Sequence, residues 1–212
     1  ITTKGFRDIL KIGFQNRPNL FDINIKLPEQ LYKEVIEIEE RVLSDGLIIK
    51  NLDINKTKNQ LQKLYKKGIK SLAILFMHGY KYPKHEIKVA EIAAKIGFKQ
   101  ISCSHIISPT IKFINRGDTS VLDAYLSPII YNYTNILKSK FPNTKLMFMQ
   151  SNGGLADAEH FMGKNSILSG PAGGVIGAII SSKNAGLKKI IGFDMGGTST
   201  DVCHNNGKIE RT

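Results

Sequence analysis

The chain of 212 residues is 42% hydrophobic and 23% charged, a composition that buries a core and excludes a disordered chain. Lys and Arg outnumber Asp and Glu by 30 to 18, for a formal net charge of +12. The lysines are scattered, as at Lys56, Lys58, Lys63, Lys66 and Lys67, without the arginines and aromatics of a nucleic-acid reader, and no apolar run reaches the roughly 18 residues of a membrane span, so neither partner is expected.

In chain order, Phe6, Ile9, Leu10 and Phe14 have helical spacing and predict a helix over residues 3–16, stopped by Arg17, Pro18 and Asn19. Residues 31–50 are β-rich, and Asp45-Gly46 between apolar runs predicts a hairpin. An α/β alternation follows: a helix over 56–67 ended by Gly68, a buried strand over 69–77, a helix over 83–96 ended by Gly97, and a strand over 98–103. A long helix is expected over 115–140, with Pro128 a candidate break, then a strand over 145–149 that leads into Gln150-Ser151-Asn152-Gly153-Gly154. This pattern gives an α/β fold with mixed sheets covered by helices. Three segments are expected: 1–55 (helix plus hairpin), 56–150 (α/β) and 151–212.

The chemistry concentrates near the end of the chain. Residues 190–202 read IIGFDMGGTSTDV. A short apolar run fits a buried strand and ends in Asp194; Gly196, Gly197, Thr198, Ser199 and Thr200 follow, then Asp201. Adjacent glycines let backbone N–H groups approach an anion, three hydroxyls add donors, and a carboxylate at a strand end suits Mg²⁺, directly or through water. The stretch reads as a strand–turn–strand clamp for a nucleotide phosphate, or as a polar hairpin without a ligand. It is neither a P-loop, because no Lys follows the glycines, nor the dinucleotide fingerprint. Upstream, residues 166–182 read SILSGPAGGVIGAIISS, a small-residue helix with Ser169 as N-cap and Pro171 in its first turn. Its glycines cost helicity, so tertiary packing must supply the difference.

Other polar positions divide between roles. Asn152 and Gly153 follow a strand, where a ligand or a plain β-turn would both fit. His78, His85 and Glu86 match no zinc spacing and read as a loop and a helix start. Arg116 suits a carboxylate or phosphate but also a structural ion pair, with Asp118 or Thr119 as a cap. Asp123 and Tyr125 lie within the long helix, and His105, His160 and His204 are assigned no role. Cys103 and Cys203 stand far apart, which excludes a disulfide scaffold or zinc site and points to a reducing cytoplasm, with Cys103 buried.

SGPAGGVIGA, FDMGGTSTDV, MQSNGG (149–154), TTKGFRDILKIGFQNRP (2–18) and NRGDTSVLDAYLSP (115–128) together resemble the large, ATP-binding subunit of the hydantoinase A/5-oxoprolinase family, within the actin-like (ribonuclease H-like) ATPase superfamily. The resemblance runs from Thr2 to Val202. It implies a partial actin-like fold and an ATP-dependent hydrolase that opens a cyclic amide of 5-oxoproline or hydantoin type by phosphorylating its carbonyl oxygen. An acetone- or acetophenone-type carboxylase subunit and a non-catalytic actin-like ATP-binding protein are the alternatives. It further implies ATP and Mg²⁺ as cofactors and a second, hydantoinase B-like subunit or fused domain as partner. Asp194 and Asp201 would be catalytic, with Asp194 on the metal. Gly170, Gly196, Gly197, Thr198, Ser199 and Thr200 would hold the nucleotide, and Asn152, Gly153 and Arg116 the substrate. The family's first phosphate loop has no counterpart here, so the chain is expected to be an internal piece of a longer protein, inactive alone.

Overall fold

The computed structural model describes residues 1–14, 21, 23–24 and 28–207, which divide into two compact units, Ile1–Ile129 and Ile130–Thr212. The expected boundary after residue 55 falls inside a helix of the first unit, and that after residue 150 inside a hairpin turn of the second.

In the first unit, β1 (Thr2–Thr3) opens the chain and α1 is a single turn, Ile9–Ile12. The longer helix expected over residues 3–16 does not form. Thr2 and Thr3 pair with another strand, and Gly5 (φ 93°) and Gly13 (φ 56°) turn the backbone at either end of the turn. The remainder of that expectation, with its Arg17-Pro18-Asn19 stop, lies outside the described residues. β2 (Glu37–Ile38) pairs in parallel with β1. β3 (Arg41–Val42) and β4 (Ile48–Lys50) form the expected hairpin, with Gly46 at φ 94° and the Leu47 N–H donated to Asp45 Oδ1 at 2.9 Å.

α2 (Ile54–Lys66) begins two residues before the expected start and is capped by Asp53, whose side chain accepts from the Lys56 N–H. β5 (Ser71–Ile74), α3 (Lys84–Ile96) and β6 (Gln100–Cys103) follow, with β5 and β6 parallel. A parallel bridge from Thr2 to Leu75 sets β1 beside β5, so the strands run β2–β1–β5–β6. Leu61 and Leu64 of α2, Val89 and Ala93 of α3, and Leu72, Ile74 and Phe76 form the core. Cys103 is buried as expected, and burial, with the Glu86 carboxylate adding to it, pushes its thiol up to about 12.

α4 (Ser104–Ile107) is a turn that the pattern did not announce, and α5 runs Phe113–Lys140 straight through Pro128. Around α4 lies a buried polar network. Glu86, 0% exposed, accepts the Phe76 N–H (2.9 Å), the Ser104 hydroxyl (2.6 Å), the His105 N–H (3.1 Å) and His105 Nδ1 (2.7 Å). Arg116, also 0% exposed, donates to Ser104 Oγ and to the carbonyls of Thr110 and Phe76. Glu86, expected as a helix-dipole residue, and His105, to which the sequence assigns no role, are both centres of this network.

The second unit contains β7 (Met147–Met149) and β8 (Leu155–Asp157), an antiparallel hairpin, then a 3₁₀ turn, Gly163–Asn165. α6 (Ser169–Asn184) precedes a second antiparallel hairpin, β9 (Ile190–Met195) and β10 (Thr200–Asn205). The α/β architecture with mixed pairings and covering helices is the one expected. No described helix is long and apolar enough to cross a membrane.

Glu86→Ala would strand two backbone N–H groups and two side chains beside a buried guanidinium. The expected loss is about 3–5 kcal/mol, read as a lowered urea midpoint. A loss below about 1 kcal/mol would contradict this role for the carboxylate.

Candidate phosphate-binding hairpin

Every element of the candidate site lies in the second unit, arranged along α6. Its small residues permit the approach. Gly192 on β9 lacks the Cβ that would stand 2.6 Å from Cys203 Sγ and 3.7 Å from Ala178 Cβ, so β9, β10 and α6 meet there without a side chain between them. One turn up the helix, a Cβ on Gly174 would lie 4.0 Å from Asp194 Oδ2. The face of β9–β10 that carries Gly192 and Asp194 therefore looks at α6. The other face, with Ile191, Phe193, Met195 and Val202, is exposed, so the strand expected to be buried is covered on one side only.

Asp194 and Asp201 stand directly opposite each other in the hairpin register. Side chains paired across strands project on the same face, and like charges in that position repel. Two adjacent carboxylates suit a cation that completes its shell with waters and phosphate oxygens, as Mg²⁺ does. Among the described residues no group of three or more His, Cys, Asp or Glu side chains could hold a metal by itself. The donor set thus fits an ion carried in with a nucleotide better than a resident one.

Between the strands lie Gly196, Gly197, Thr198 and Ser199, closed by the Gly196 N–H donating to the Ser199 carbonyl at 2.9 Å. Neither glycine takes a positive φ, so the turn does not need them for backbone reasons. A Cβ on Gly197 would meet nothing within 4 Å, nor would one on Gly170 in the first turn of α6. What these glycines supply is bare backbone on open space. Thr198, Ser199 and Thr200 are exposed beside it.

The start of α6 differs in detail from the expectation. Leu168, not Ser169, is the N-cap, and no side chain caps the helix. The Ser169 hydroxyl donates to the Ser166 carbonyl at 2.9 Å, so its oxygen is turned to the preceding loop. The first-turn N–H groups keep no side-chain partner.

The turn after β7 also reaches α6. The Gly154 N–H donates to Asn152 Oδ1 (2.8 Å), the Gln150 N–H to the Gly154 carbonyl (2.8 Å), and Gly153 sits at φ 79°. A Cβ on Gly153 would lie 3.3 Å from Ile176 on α6. Asn152 thus spends its carbonyl on the turn and keeps its amide nitrogen for other contacts. The structure brings Gly153 and Asp194 against one helix, α6, which carries Gly170 in its first turn, and sets Asp201 opposite Asp194. Arg116 belongs to the first unit, where it is wholly buried with its guanidinium engaged by Ser104, Thr110 and Phe76. The buried structural reading of Arg116, not an open substrate contact, fits this placement.

Two family models cover most of the chain. Hydantoinase/oxoprolinase matches residues 116–212, and Hydantoinase/oxoprolinase N-terminal region matches residues 1–97. The chain belongs to the hydantoinase/oxoprolinase family. A 5-oxoprolinase of Dictyostelium discoideum is 44% identical over 252 aligned residues, taking in 99% of this chain and 20% of that protein. The chain spans about a fifth of the length of the curated relatives that it first matches. Among solved structures, an ATP-dependent caprolactamase from Pseudomonas jessenii superposes with a TM-score of 0.83 at 27% identity, over 96% of this chain and 31% of that one. An acetone carboxylase in its nucleotide-free form gives a TM-score of 0.82 at 22% identity, over 99% of this chain and 32% of that one, which is a likeness of fold alone. The partial actin-like fold expected of this family member is the fold these neighbours share.

The two kinds of glycine separate by stability. Gly192→Ala forces a methyl into Cys203 Sγ and should cost about 1–3 kcal/mol. Gly197→Ala should cost nothing measurable in thermal unfolding of the same chain. A destabilising Gly197→Ala would mean that the turn serves the fold rather than a ligand.

Proposed function

We propose that this chain forms the phosphate-binding part of an ATP-dependent hydrolase that opens a small cyclic amide of the 5-oxoproline or hydantoin type. The observation that carries the reading is the pair Asp194 and Asp201, face to face beside a bare Gly-Thr turn and a glycine-lined helix. The 5-oxoprolinase relatives direct the choice of substrate class.

A lactam carbonyl is a poor electrophile. Transfer of the terminal phosphoryl group of ATP to its oxygen, with ADP leaving, activates the carbon. Water adds there, the ring C–N bond breaks with the nitrogen leaving as the amine, and a second water releases the phosphate from the acyl phosphate. One lactam, one ATP and two waters thus give the open amino acid, ADP and inorganic phosphate. Positioning and charge stabilisation dominate such a step. The backbone N–H of Gly197, with the hydroxyls of Thr198, Ser199 and Thr200, holds phosphate oxygens in place, and Gly196, whose own N–H closes the turn on the Ser199 carbonyl, leaves bare backbone beside it. Gly170 lets the open first turn of α6 come close to an anion. Asp194 would hold Mg²⁺, directly or through water, and Asp201 would orient the turn or the ion. When bound, the ion neutralises charge on the phosphates. Asn152 and Gly153 orient substrate or phosphate from the neighbouring turn. A second, hydantoinase B-like subunit or fused domain completes the enzyme, and the two free cysteines suit a reducing, cytoplasmic setting. The carboxylase alternative has weaker support, a likeness of fold to the acetone carboxylase and 27% identity to an acetophenone carboxylase gamma subunit of Aromatoleum aromaticum, against 44% for the 5-oxoprolinase.

The test is ATP turnover by the whole protein, assayed in parallel with 5-oxoproline, N-methylhydantoin and acetone. Turnover stimulated by a cyclic amide is expected, and Asp194→Asn should lower kcat at least 100-fold with the fold intact. Stimulation by acetone alone, or an Asp194→Asn variant with unchanged kcat, would overturn the proposal.

A further inference from the structure

The carboxyl ends of the parallel strands β2, β1, β5 and β6 gather a second set of polar and aromatic groups, all in the first unit. Ligands of α/β sheets bind outside such ends. Here the chain places Phe6 after β1, Arg41 after β2, and His78 and Tyr80 after β5; Phe113 and Arg116 come from the first turn of α5. They form a continuous series. The Arg41 guanidinium lies 5.2 Å from the Phe6 ring centroid, and Phe6 lies 5.4 Å from Phe113. Arg116 lies 5.3 Å from Phe113 and 5.4 Å from Tyr80, and Tyr80 lies 6.4 Å from His78.

The two arginines are not equivalent. Arg116 is buried and fully engaged in the scaffold. Arg41 is half-buried, and among the described residues no carboxylate lies within ion-pair range of it.

His78 is the sole described non-glycine residue at positive φ, 59°. The surroundings impose this conformation. Its carbonyl accepts from the Lys81 N–H (3.0 Å) and the Tyr82 N–H (2.9 Å), and the Gly79 N–H donates to the Phe76 carbonyl (3.1 Å). The buried Glu86 carboxyl carbon stands 2.8 Å from where a Cβ on Gly79 would be, which clamps the loop from beneath. A strained, over-determined residue of this kind is characteristic of ligand sites.

We propose that Arg41, His78 and Tyr80 bind the carboxylate of a small cyclic ligand, with Phe6 and Phe113 supplying the apolar wall for its ring. Naming that ligand as 5-oxoproline, a lactam that carries a carboxylate, rests on the hydrolase reading above. The Arg41 guanidinium offers the flat fork that a carboxylate matches. Burial, then the nearby Arg41 and Arg116 charges, hold the His78 imidazole below its ordinary pKa and therefore neutral at pH 7, with an N–H to donate. One uncommitted cation beside neutral donors suits a monoanion better than a doubly charged phosphate.

Calorimetric titration of the full chain, without ATP, tests this with three probes: 5-oxoproline, 2-pyrrolidinone (the same ring without the carboxylate) and inorganic phosphate. The wild-type chain should bind 5-oxoproline at least tenfold tighter than 2-pyrrolidinone. Arg41→Gln should erase that preference, and His78→Asn, which tolerates the left-handed backbone, should reduce it several-fold. Equal binding of the two lactams, an Arg41→Gln variant that keeps the preference, or phosphate binding as tight as 5-oxoproline would each overturn the site. Its failure is separable from that of the hydrolase reading. Lactam-dependent ATP turnover in the whole protein with an unchanged KM in Arg41→Gln removes this site and leaves the hydrolase. Absence of lactam-dependent turnover removes the hydrolase, while the titration still decides whether the carboxylate is bound.

Discussion

The second unit depends on contacts made where side chains are missing. α6 lies against β9 and β10 at Gly192, Cys203 and Ala178, and against the turn after β7 at Gly153 and Ile176. A helix with four glycines is intrinsically poor, each costing about 1 kcal/mol relative to Ala. Close backbone approach on two sides offsets that cost. The same approach fixes Asp194 beside the helix and opposite Asp201. Position and repulsion are therefore linked, because the packing that orders the hairpin also holds two negative charges together.

The first unit solves a different problem. Its parallel strands are short, two to four residues each, and a buried polar network ties their carboxyl ends. Glu86 and Arg116 share the Ser104 hydroxyl and the backbone of Phe76. Each has its hydrogen-bonding needs met, which is what makes a buried charge tolerable. The network presses the loop after β5 into one shape and gives His78 its unusual backbone. A second pairing, His85 Nδ1 to Glu40 Oε2 at 2.6 Å, joins α3 to the end of β2 beside it.

Much of this could be read from the sequence where a single local cause decides the outcome. Asp45-Gly46 specified a hairpin, and Gly97, at φ 109°, ended α3 as a glycine in the left-handed region does. Gly196 through Thr200 marked the turn between two strands. The failures arose where long-range pairing overrides a local pattern. Phe6, Ile9 and Leu10 have helical spacing, but Thr2 and Thr3 are claimed by β2, 35 residues away in the chain. The apolar run of β9 looked like a buried strand, yet a hairpin covered by one helix hides one face only. Glu86 resembled any acidic residue at a helix start, and nothing local shows that Phe76, Ser104 and His105 converge on it. Arg116 carried the chemistry of a ligand contact, but its partners lie six to forty residues distant in sequence and were invisible without the fold.

The proposed role of the turn between β9 and β10 is to hold phosphate. Backbone amide exchange across residues 190–205 of the whole protein, with and without ATP and magnesium, tests it most directly. Slowed exchange is expected at residues 196–200 with ATP and magnesium, and no slowing with AMP, which lacks the terminal phosphates. Unchanged exchange there at saturating ATP would contradict it.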